Sequence, residues 1–566
     1  MAALAAEPHA SDDDKSGDDK SGRSTQVGGG ASVDPVGEGG GCVLVRFLGT
    51  TPQSSSAPSL IRSLLLQLAR IYEREDEAIP HDFQSLTALF KLALLTWPSA
   101  TRPLVLLLDG VDQLDDAERG RELGWLPLTS LPPAVRVVVS SRSSSSGDTP
   151  TDAPEGATCL ACLTAALGVA PGASSGMVEV EAVSEPEVLL TQVLARQGRA
   201  VSALQLAEVH RALSDARTGG EAGAGGALWV RLAAEAVATW RSTDGVPAKL
   251  PTSVSGLVGL LWKRWAGIHR KELVGATVAY VTLSRGVGEG ELSHLLALQD
   301  SVLADAYEWW VPPARTLPSL VLTRLLLDLE PLLVRRGDPS GVELVAWSHR
   351  AVEEAFEELC FREDPGVRIQ RHRELAVFFG GDWAGRAKDY SPWLASNIQR
   401  PQFFPGETAG DRLVPPQPLV LQGRMMDGLQ GCTLNLRRVQ CLVRHLIAGK
   451  EHTRAMEHIS SVDYIQSRYL TGGGQELLRE CADLIAASQD DDLRARAGEM
   501  RIFLERHDSV LRAESARDPS IAAQLAFQEA ETAVVRRSLV EAELAKAPGD
   551  RWLESEMDML EMAGAA

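Results

Sequence analysis

The sequence lacks the features of a membrane, secreted or nucleic-acid-binding protein. It has no apolar run near the roughly 18 residues that a membrane-spanning helix needs. Its N-terminus has no basic segment followed by an apolar core, so we expect no signal peptide. The 76 Asp and Glu outnumber the 56 Lys and Arg, which disfavours the phosphate backbone of a nucleic acid as a partner. We therefore expect a cytoplasmic protein with neither a membrane nor a nucleic acid as its partner.

Cysteines are few and give no sign of a disulfide framework or a metal site. Seven cysteines, an odd number over 566 residues, favour a reducing compartment. Cys159 and Cys162 form a C-x-x-C pair, but no second pair and no nearby histidine completes the four ligands of a zinc site. The pair lies in an alanine-rich apolar stretch, so we expect both cysteines to be small packed side chains.

The chain is long enough for several domains. At ~150 residues per domain, 566 residues correspond to about three or four. Residues 1–41 are acidic and rich in serine and glycine, with little that can be buried, so this segment is expected to be a disordered tail. The phosphate-binding pattern G-x-x-x-x-G-K-[ST] does not occur in the sequence. Lys20-Ser21 is preceded by acids rather than by a strand and glycines, and we interpret it as coincidence.

In residues 42–245, predicted strands and helices alternate as they do in a parallel α/β sheet. Buried strands are predicted at 43–48, 104–109 and 135–142, the last ending on polar residues, with helices at 58–74 and 83–95 between the first two. The strand 104–108 is continuously apolar and ends on Asp109-Gly110-Val111-Asp112. Ligands of open α/β sheets bind at the carboxyl ends of such strands. The stretch is therefore either a magnesium-binding end of a nucleotide site or a buried strand with a polar exit turn.

The rest of the chain is predicted to be mainly helical. In 246–365, helices are followed by two β-rich runs that flank Gly337-Asp-Pro-Ser-Gly341, a hairpin signal. Helices closed by a hairpin indicate a winged-helix domain. Residues 366–510 form a predicted helical domain, and 511–566 a helical, acidic C-terminal tail. The predicted fold class is thus α/β followed by mainly α.

Taken in order, these landmarks resemble the NACHT-type STAND P-loop NTPases of the NACHT-and-WD-repeat group. The segment 45–56 resembles the strand and loop that follow the P-loop helix, 104–113 the Walker B motif, and 135–142 the sensor 1 strand. The segments 307–313, 326–329 and 347–350 resemble the winged helix, and 435–449 resembles the helical segment after it.

The resemblance implies a nucleotide site with ATP or ADP and Mg²⁺ as cofactors. Asp109 would hold the metal ion, and Asp112 would orient the attacking water. Ser141 or Arg142 would sense the γ-phosphate, and His349 would contact a nucleotide phosphate from the winged helix. A divalent ion that bridges the phosphates neutralises charge in phosphoryl transfer, and a carboxylate is its natural ligand. The other interpretation of His349 is a helix-capping or core histidine.

The sequence departs from the family in two ways. The Walker A segment, with its first strand, and the WD repeats are both missing. We therefore expect that the sequence is either a partial gene model or a degenerate copy of a family member.

Two functions follow from the resemblance. The chain is either the central portion of a nucleotide-regulated signalling protein with impaired nucleotide binding, or a non-enzymatic scaffold that keeps the fold. Both interpretations imply protein partners, and the first allows a homo-oligomer. DNA binding through the winged helix is disfavoured by the acidic balance of the chain.

Overall fold

The computed structural model describes most of the chain between residues 41 and 539. The described residues are 41–49, 53–74, 79–80, 83–115, 117–141, 159–167, 177–178, 183–218, 226–241, 243, 249–308, 316–338, 341–386, 388–392, 394, 412–422, 432–518, 520–529, 535–536 and 539. Of the predicted disordered tail at 1–41, only residue 41 is described. Arg142 is not among the described residues, and beyond residue 529 the predicted C-terminal tail is described only at 535, 536 and 539.

Three strands form a small parallel sheet. They are β1 (Cys42–Phe47), β2 (Leu104–Asp109) and β3 (Val135–Val139), in the order β1-β2-β3. Phe47 pairs with Asp109 in the register of β1 with β2, and Leu108 pairs with Val139 in that of β2 with β3. The carboxyl ends of all three strands therefore lie at one edge of the sheet, with β2 in the middle. This confirms the parallel α/β arrangement predicted from the sequence.

Two helices cover this sheet, α1 (Ala57–Ile71) and α2 (Phe83–Thr96). Ser56 caps α1, since its hydroxyl accepts a hydrogen bond from the backbone N–H of Ser59, and Pro58 occupies the first turn. Leucine and isoleucine recur on one face of α1 and are buried against the strands. This smaller core comprises residues between Leu44 and Leu163, including the start of α3 (Cys159–Leu167).

The following helices belong to a second and larger core. They are α4 (Pro186–Arg196), α5 (Ala203–Thr218), α6 (Ala227–Val237), α7 (Val254–His269) and α8 (Lys271–Ser284). Trp229 on α6 and Trp265 on α7 are almost fully buried in it. The larger core takes in side chains from Leu190 to Leu539. The predicted boundary at residue 245 stays a prediction.

A second sheet and its helices come next. They comprise β4 (Val287–Gly288), α9 (Glu289–Ala297), α10 (Asp300–Ala306), α11 (Ser319–Leu329), β5 (Leu333–Gly337), β6 (Glu343–Trp347) and α12 (Arg350–Phe361). The strands β5 and β6 form the predicted hairpin, with Leu333 opposite Trp347, and β4 adds to the other side of β6.

The described part of the chain ends in stacked helices. After α13 (Pro365–Gly380), the short strands β7 (Val420–Gln422) and β8 (Thr433–Leu434) pair with each other. Then follow α14 (Leu436–Ala448), α15 (His452–Ile459), α16 (Val462–Leu470), α17 (Gly474–Ala487), α18 (Asp491–Glu514) and α19 (Ile521–Phe527). Among the described residues, no helix is both long enough and apolar enough to cross a membrane.

Candidate functional site

Asp109 lies at the carboxyl end of the central strand of the parallel sheet. Its side chain is exposed, whereas Leu106 and Leu108 before it are buried. The hydroxyl of Ser140, just after β3, donates a hydrogen bond to Asp109 Oδ1 at 2.5 Å. The same hydroxyl accepts a hydrogen bond at 2.8 Å from the backbone N–H of Gly110. An accessible carboxylate oxygen and a hydroxyl oxygen thus lie together at the sheet edge where ligands of α/β proteins bind.

Backbone contacts hold the loop after Asp109 in place. Gly110 has φ +79°, in the left-handed region that glycine adopts without strain. The N–H of Val111 donates to the carbonyl of Ser140 at 3.0 Å. The Gln113 side chain packs against Gly49 and Gly110; a Cβ at Gly49 would overlap it, and a Cβ at Gly110 would lie 2.8 Å from its amide nitrogen. The loop is therefore a defined turn anchored to the neighbouring strands.

Asp112 and Ser141 both lie close to Cys159 at the start of α3. Burial raises the pKa of the Cys159 thiol to about 12, while a hydrogen bond with Ser141 lowers it and the charge of Asp112 raises it. Cys159 is buried in the smaller core, so it is a packed side chain, as expected from the sequence. The assignments of Asp112 to water and of Ser141 to a γ-phosphate stay predictions. The predicted Arg142 lies outside the described residues.

His349 is the N-cap residue of α12. Its Nδ1 accepts a hydrogen bond from the backbone N–H of Ala351 at 3.1 Å, and the residue is exposed. Since Nδ1 is the acceptor, the proton of the neutral ring is on Nε2. Helix capping, one of the two interpretations open from the sequence, is thus observed. Phosphate contact through Nε2 stays a prediction.

The described part of the site contains oxygen ligands that suit a magnesium ion, but the sequence does not contain the Walker A pattern that binds phosphate. Carboxylate and hydroxyl oxygens are ligands that Mg²⁺ accepts, so Asp109 with Ser140 fits the metal end of a nucleotide site. Within the described residues, no three His, Cys, Asp or Glu side chains cluster so as to hold a metal ion by themselves. The glycine-rich cradle and its lysine are missing from the sequence.

Sequence reasoning missed two residues of this region. Ser140 was overlooked because it belongs to a run of polar residues after β3, and only the turn geometry shows which hydroxyl reaches Asp109. Arg479 on α17 donates to the hydroxyl of Ser56 at 2.6 Å and lies 3.3 Å from Asp115. Nothing in the local sequence of α17 distinguishes Arg479 from a solvated arginine.

Comparison with known proteins finds relatives that carry a NACHT domain and WD repeats in their names. No protein-family model matches the chain. The human NACHT domain- and WD repeat-containing protein 1 is 31% identical over 461 residues, which is 79% of this chain and 26% of that protein. The mouse protein of the same name is 30% identical over 471 residues, 80% of this chain and 27% of that protein. The mouse NACHT and WD repeat domain-containing protein 2 is 28% identical over 494 residues, 83% of this chain and 26% of that protein.

The chain spans about a quarter of the length of these curated relatives. The matched region covers about four fifths of the chain, and it therefore includes residues from both hydrophobic cores. The resemblance found in the order of the sequence motifs is confirmed, and the chain belongs to the family of NACHT and WD repeat-containing proteins.

Proposed function

We propose that the chain is the central portion of a STAND-type signalling protein, with a nucleotide site that is incomplete in residues 1–566. One observation carries this proposal. Asp109, at the end of the central strand, accepts a hydrogen bond from Ser140 at the end of the next strand. This is where a Walker B acid meets the neighbouring strand of a parallel sheet, and the relatives are named for a NACHT domain.

The region after the α/β unit supports the proposal as a winged-helix module. Its three-stranded antiparallel sheet has the order β4-β6-β5, and helices α8, α9 and α12 pack against it. His349 lies two residues after the end of β6 and caps the start of α12. In the proposed function, this module senses nucleotide through the Nε2–H of His349, and the helical segment after it transmits the state to protein partners. A switch of this kind needs two conformations that nucleotide biases.

The chemistry assigned to the site is limited. A magnesium ion would neutralise phosphate charge if held by Asp109, and the hydroxyl of Ser140 would keep that carboxylate in position. Without the glycine-rich cradle, the backbone N–H groups that hold the phosphates are missing. We therefore expect residues 1–566 to bind nucleotide weakly and to show no measurable ATP turnover.

Purified 1–566 and its Asp109→Ala variant test this proposal in an ATPase assay with Mg²⁺ and a binding assay with a fluorescent ADP. Glu122→Ala is the matched control, since Glu122 is an exposed acid of the same unit. The expected result is no turnover, with weak Mg²⁺-dependent ADP binding that Asp109→Ala removes and Glu122→Ala leaves unchanged. Turnover abolished by Asp109→Ala would show that the site is complete. Nucleotide binding that is insensitive to Asp109 would contradict its assignment and favour the scaffold function.

A further inference from the structure

The two hydrophobic cores do not merge. The smaller core contains buried apolar side chains from Leu44 to Leu163, and the larger one contains those from Leu190 to Leu539. Within the described residues, no buried apolar side chain belongs to both clusters. Apolar contact is the main force that holds structural units together, so a boundary without a shared core is free to open. Polar contacts across this boundary then decide how firmly it stays closed.

Arg479 makes such a contact. Its Nη2 donates to the Ser56 hydroxyl at 2.6 Å, and its Nη1 lies 3.3 Å from Asp115 Oδ2. Ser56 is fully buried and caps α1, while Asp115 comes six residues after Asp109. The backbone N–H of Asp115 also donates to the carbonyl of Ser55 at 2.8 Å. A single guanidinium from the helical unit therefore holds the start of α1 and the end of the Asp109 loop together.

Elsewhere on the boundary, Arg62 of the α/β unit is near both a negative and a positive side chain of α18. Arg62 on α1 lies within electrostatic range of Asp508 and Arg512 on α18. Burial lowers the pKa of Arg62 and Arg512 lowers it further, whereas Asp508 raises it. Two guanidinium groups that share one nearby carboxylate partly repel each other, whereas Arg479 meets a hydroxyl and a carboxylate across the boundary and favours closure.

We propose that Arg479 is a latch that holds the helical unit (α14–α18) closed against the α/β unit and ties this closure to the position of the loop 110–115. The latch works through charge and hydrogen bonding to two segments at once. A loop that moves away from Ser55 carries Asp115 away from Arg479 and releases the helical unit. The proposal adds a means of regulation to the proposed function, because the loop begins at the Asp109 site. The latch itself exists with or without nucleotide.

Hydrogen exchange of the full chain, measured without nucleotide, tests the latch independently of the proposed function. The Arg479→Ala variant is expected to exchange about tenfold faster at 53–71 and at 474–487, with β2 unchanged. Tenfold corresponds to roughly 1.4 kcal/mol, the scale of a hydrogen bond with a charged partner. The radius of gyration from small-angle X-ray scattering should rise in the same variant, since the two units separate. Arg501→Ala, which breaks an exposed pair with Glu505 on α18, is the matched control and should change neither measurement.

The charge-swapped pair Arg479→Asp with Asp115→Arg provides a rescue. We expect it to restore part of the lost protection at both segments, because the ion pair returns while the contact with Ser56 does not. Exchange in Arg479→Ala equal to that of Arg501→Ala, or a rise that includes β2, would overturn the proposal. If Arg479→Ala does not fold, Asp115→Asn serves instead, with a two- to threefold rise expected at the same segments, and no rise there refutes the latch.

Discussion

Loss of the Arg437 side chain is expected to destabilise the larger core. Its side chain is 8% exposed and lies over the Phe379 ring, 5.5 Å from the centroid. It makes two hydrogen bonds of 2.9 Å to Glu291 and one of 3.0 Å to the carbonyl of Gly286. Asp338, only 2% exposed, lies 3.9 Å away. Arg437 thus joins α14 to the residue before β4, to α9, to the β5–β6 hairpin and to α13.

The Arg437→Met variant keeps much of the apolar stem and removes the charge. Glu291 and Asp338 are then left in the interior without their cation, which costs about 3–5 kcal/mol for a broken buried pair. With a urea slope near 3 kcal/mol/M, the upper value for small domains, the midpoint of unfolding should fall by about 1–1.7 M. Circular dichroism during a urea titration measures this midpoint.

Arg335→Met is the matched control for this prediction. Arg335 pairs with Glu343 at 3.0 Å and Glu289 at 3.6 Å, but it is half exposed. Exposed pairs contribute about 0–1 kcal/mol, so the midpoint should hardly move. Adding Glu291→Gln to Arg437→Met should recover part of the loss, because the uncompensated charge is then removed. Equal midpoints for Arg437→Met and Arg335→Met would refute the argument from burial.

Two further predictions concern the histidine pair of α13 and α14 and the turn beside Asp109. His372 and His445 are buried with their Nδ1 atoms 2.9 Å apart; burial lowers the pKa of His372 to about 4 and that of His445 well below its usual value. In the unfolded chain a histidine has a pKa of ~6.5, so below that pH the unfolded state binds more protons than the folded state. The free energy of unfolding should therefore fall by about 3 kcal/mol for His372 alone as the pH drops from ~6.5 to ~4. Urea midpoints at several pH values measure this fall, which the His372→Phe/His445→Leu variant should reduce; an equally steep pH dependence in the variant would rule out the pair as its cause. Gly49→Ala should cost about 1–3 kcal/mol because its φ is +73° and its Cβ would overlap the Gln113 side chain. Gly198→Ala, at φ +68° in open space, carries the backbone strain alone and should cost less; equal thermal shifts for the two variants would contradict the predicted overlap.

Much of the fold could be predicted from local sequence patterns. The three strands of the parallel sheet, the helices α1 and α2 and the β5–β6 hairpin were expected close to their observed positions. Apolar runs and helical periodicity indicate which residues of one helix or strand are buried, and both patterns can be read from a short stretch of sequence. The order of the motifs also indicated the family, because it does not depend on how the elements pack.

The candidate site was predictable only in part. Asp109 was identified because a long apolar run ends on an acid, and the structure places it at the expected sheet edge. Its partner Ser140 could not be distinguished from Ser141, since the choice depends on the turn after β3 and on the register of β2 with β3. The capping contact of His349 depends on where α12 begins, a boundary that sequence patterns place poorly.

The sequence by itself determined the strands of the parallel sheet, the β5–β6 hairpin, most of the helices, the acid at the end of β2 and the family of the chain. Tertiary structure decided which charged side chains are buried and with what partners. Arg437 and Arg438 are adjacent in a helical stretch, yet Arg437 is the one that meets Glu291, which lies 146 residues away in sequence. Arg479 meets Ser56 across 423 residues. Such pairs depend on how distant elements come together, and burial makes their hydrogen bonds and charges matter far more than they would in water.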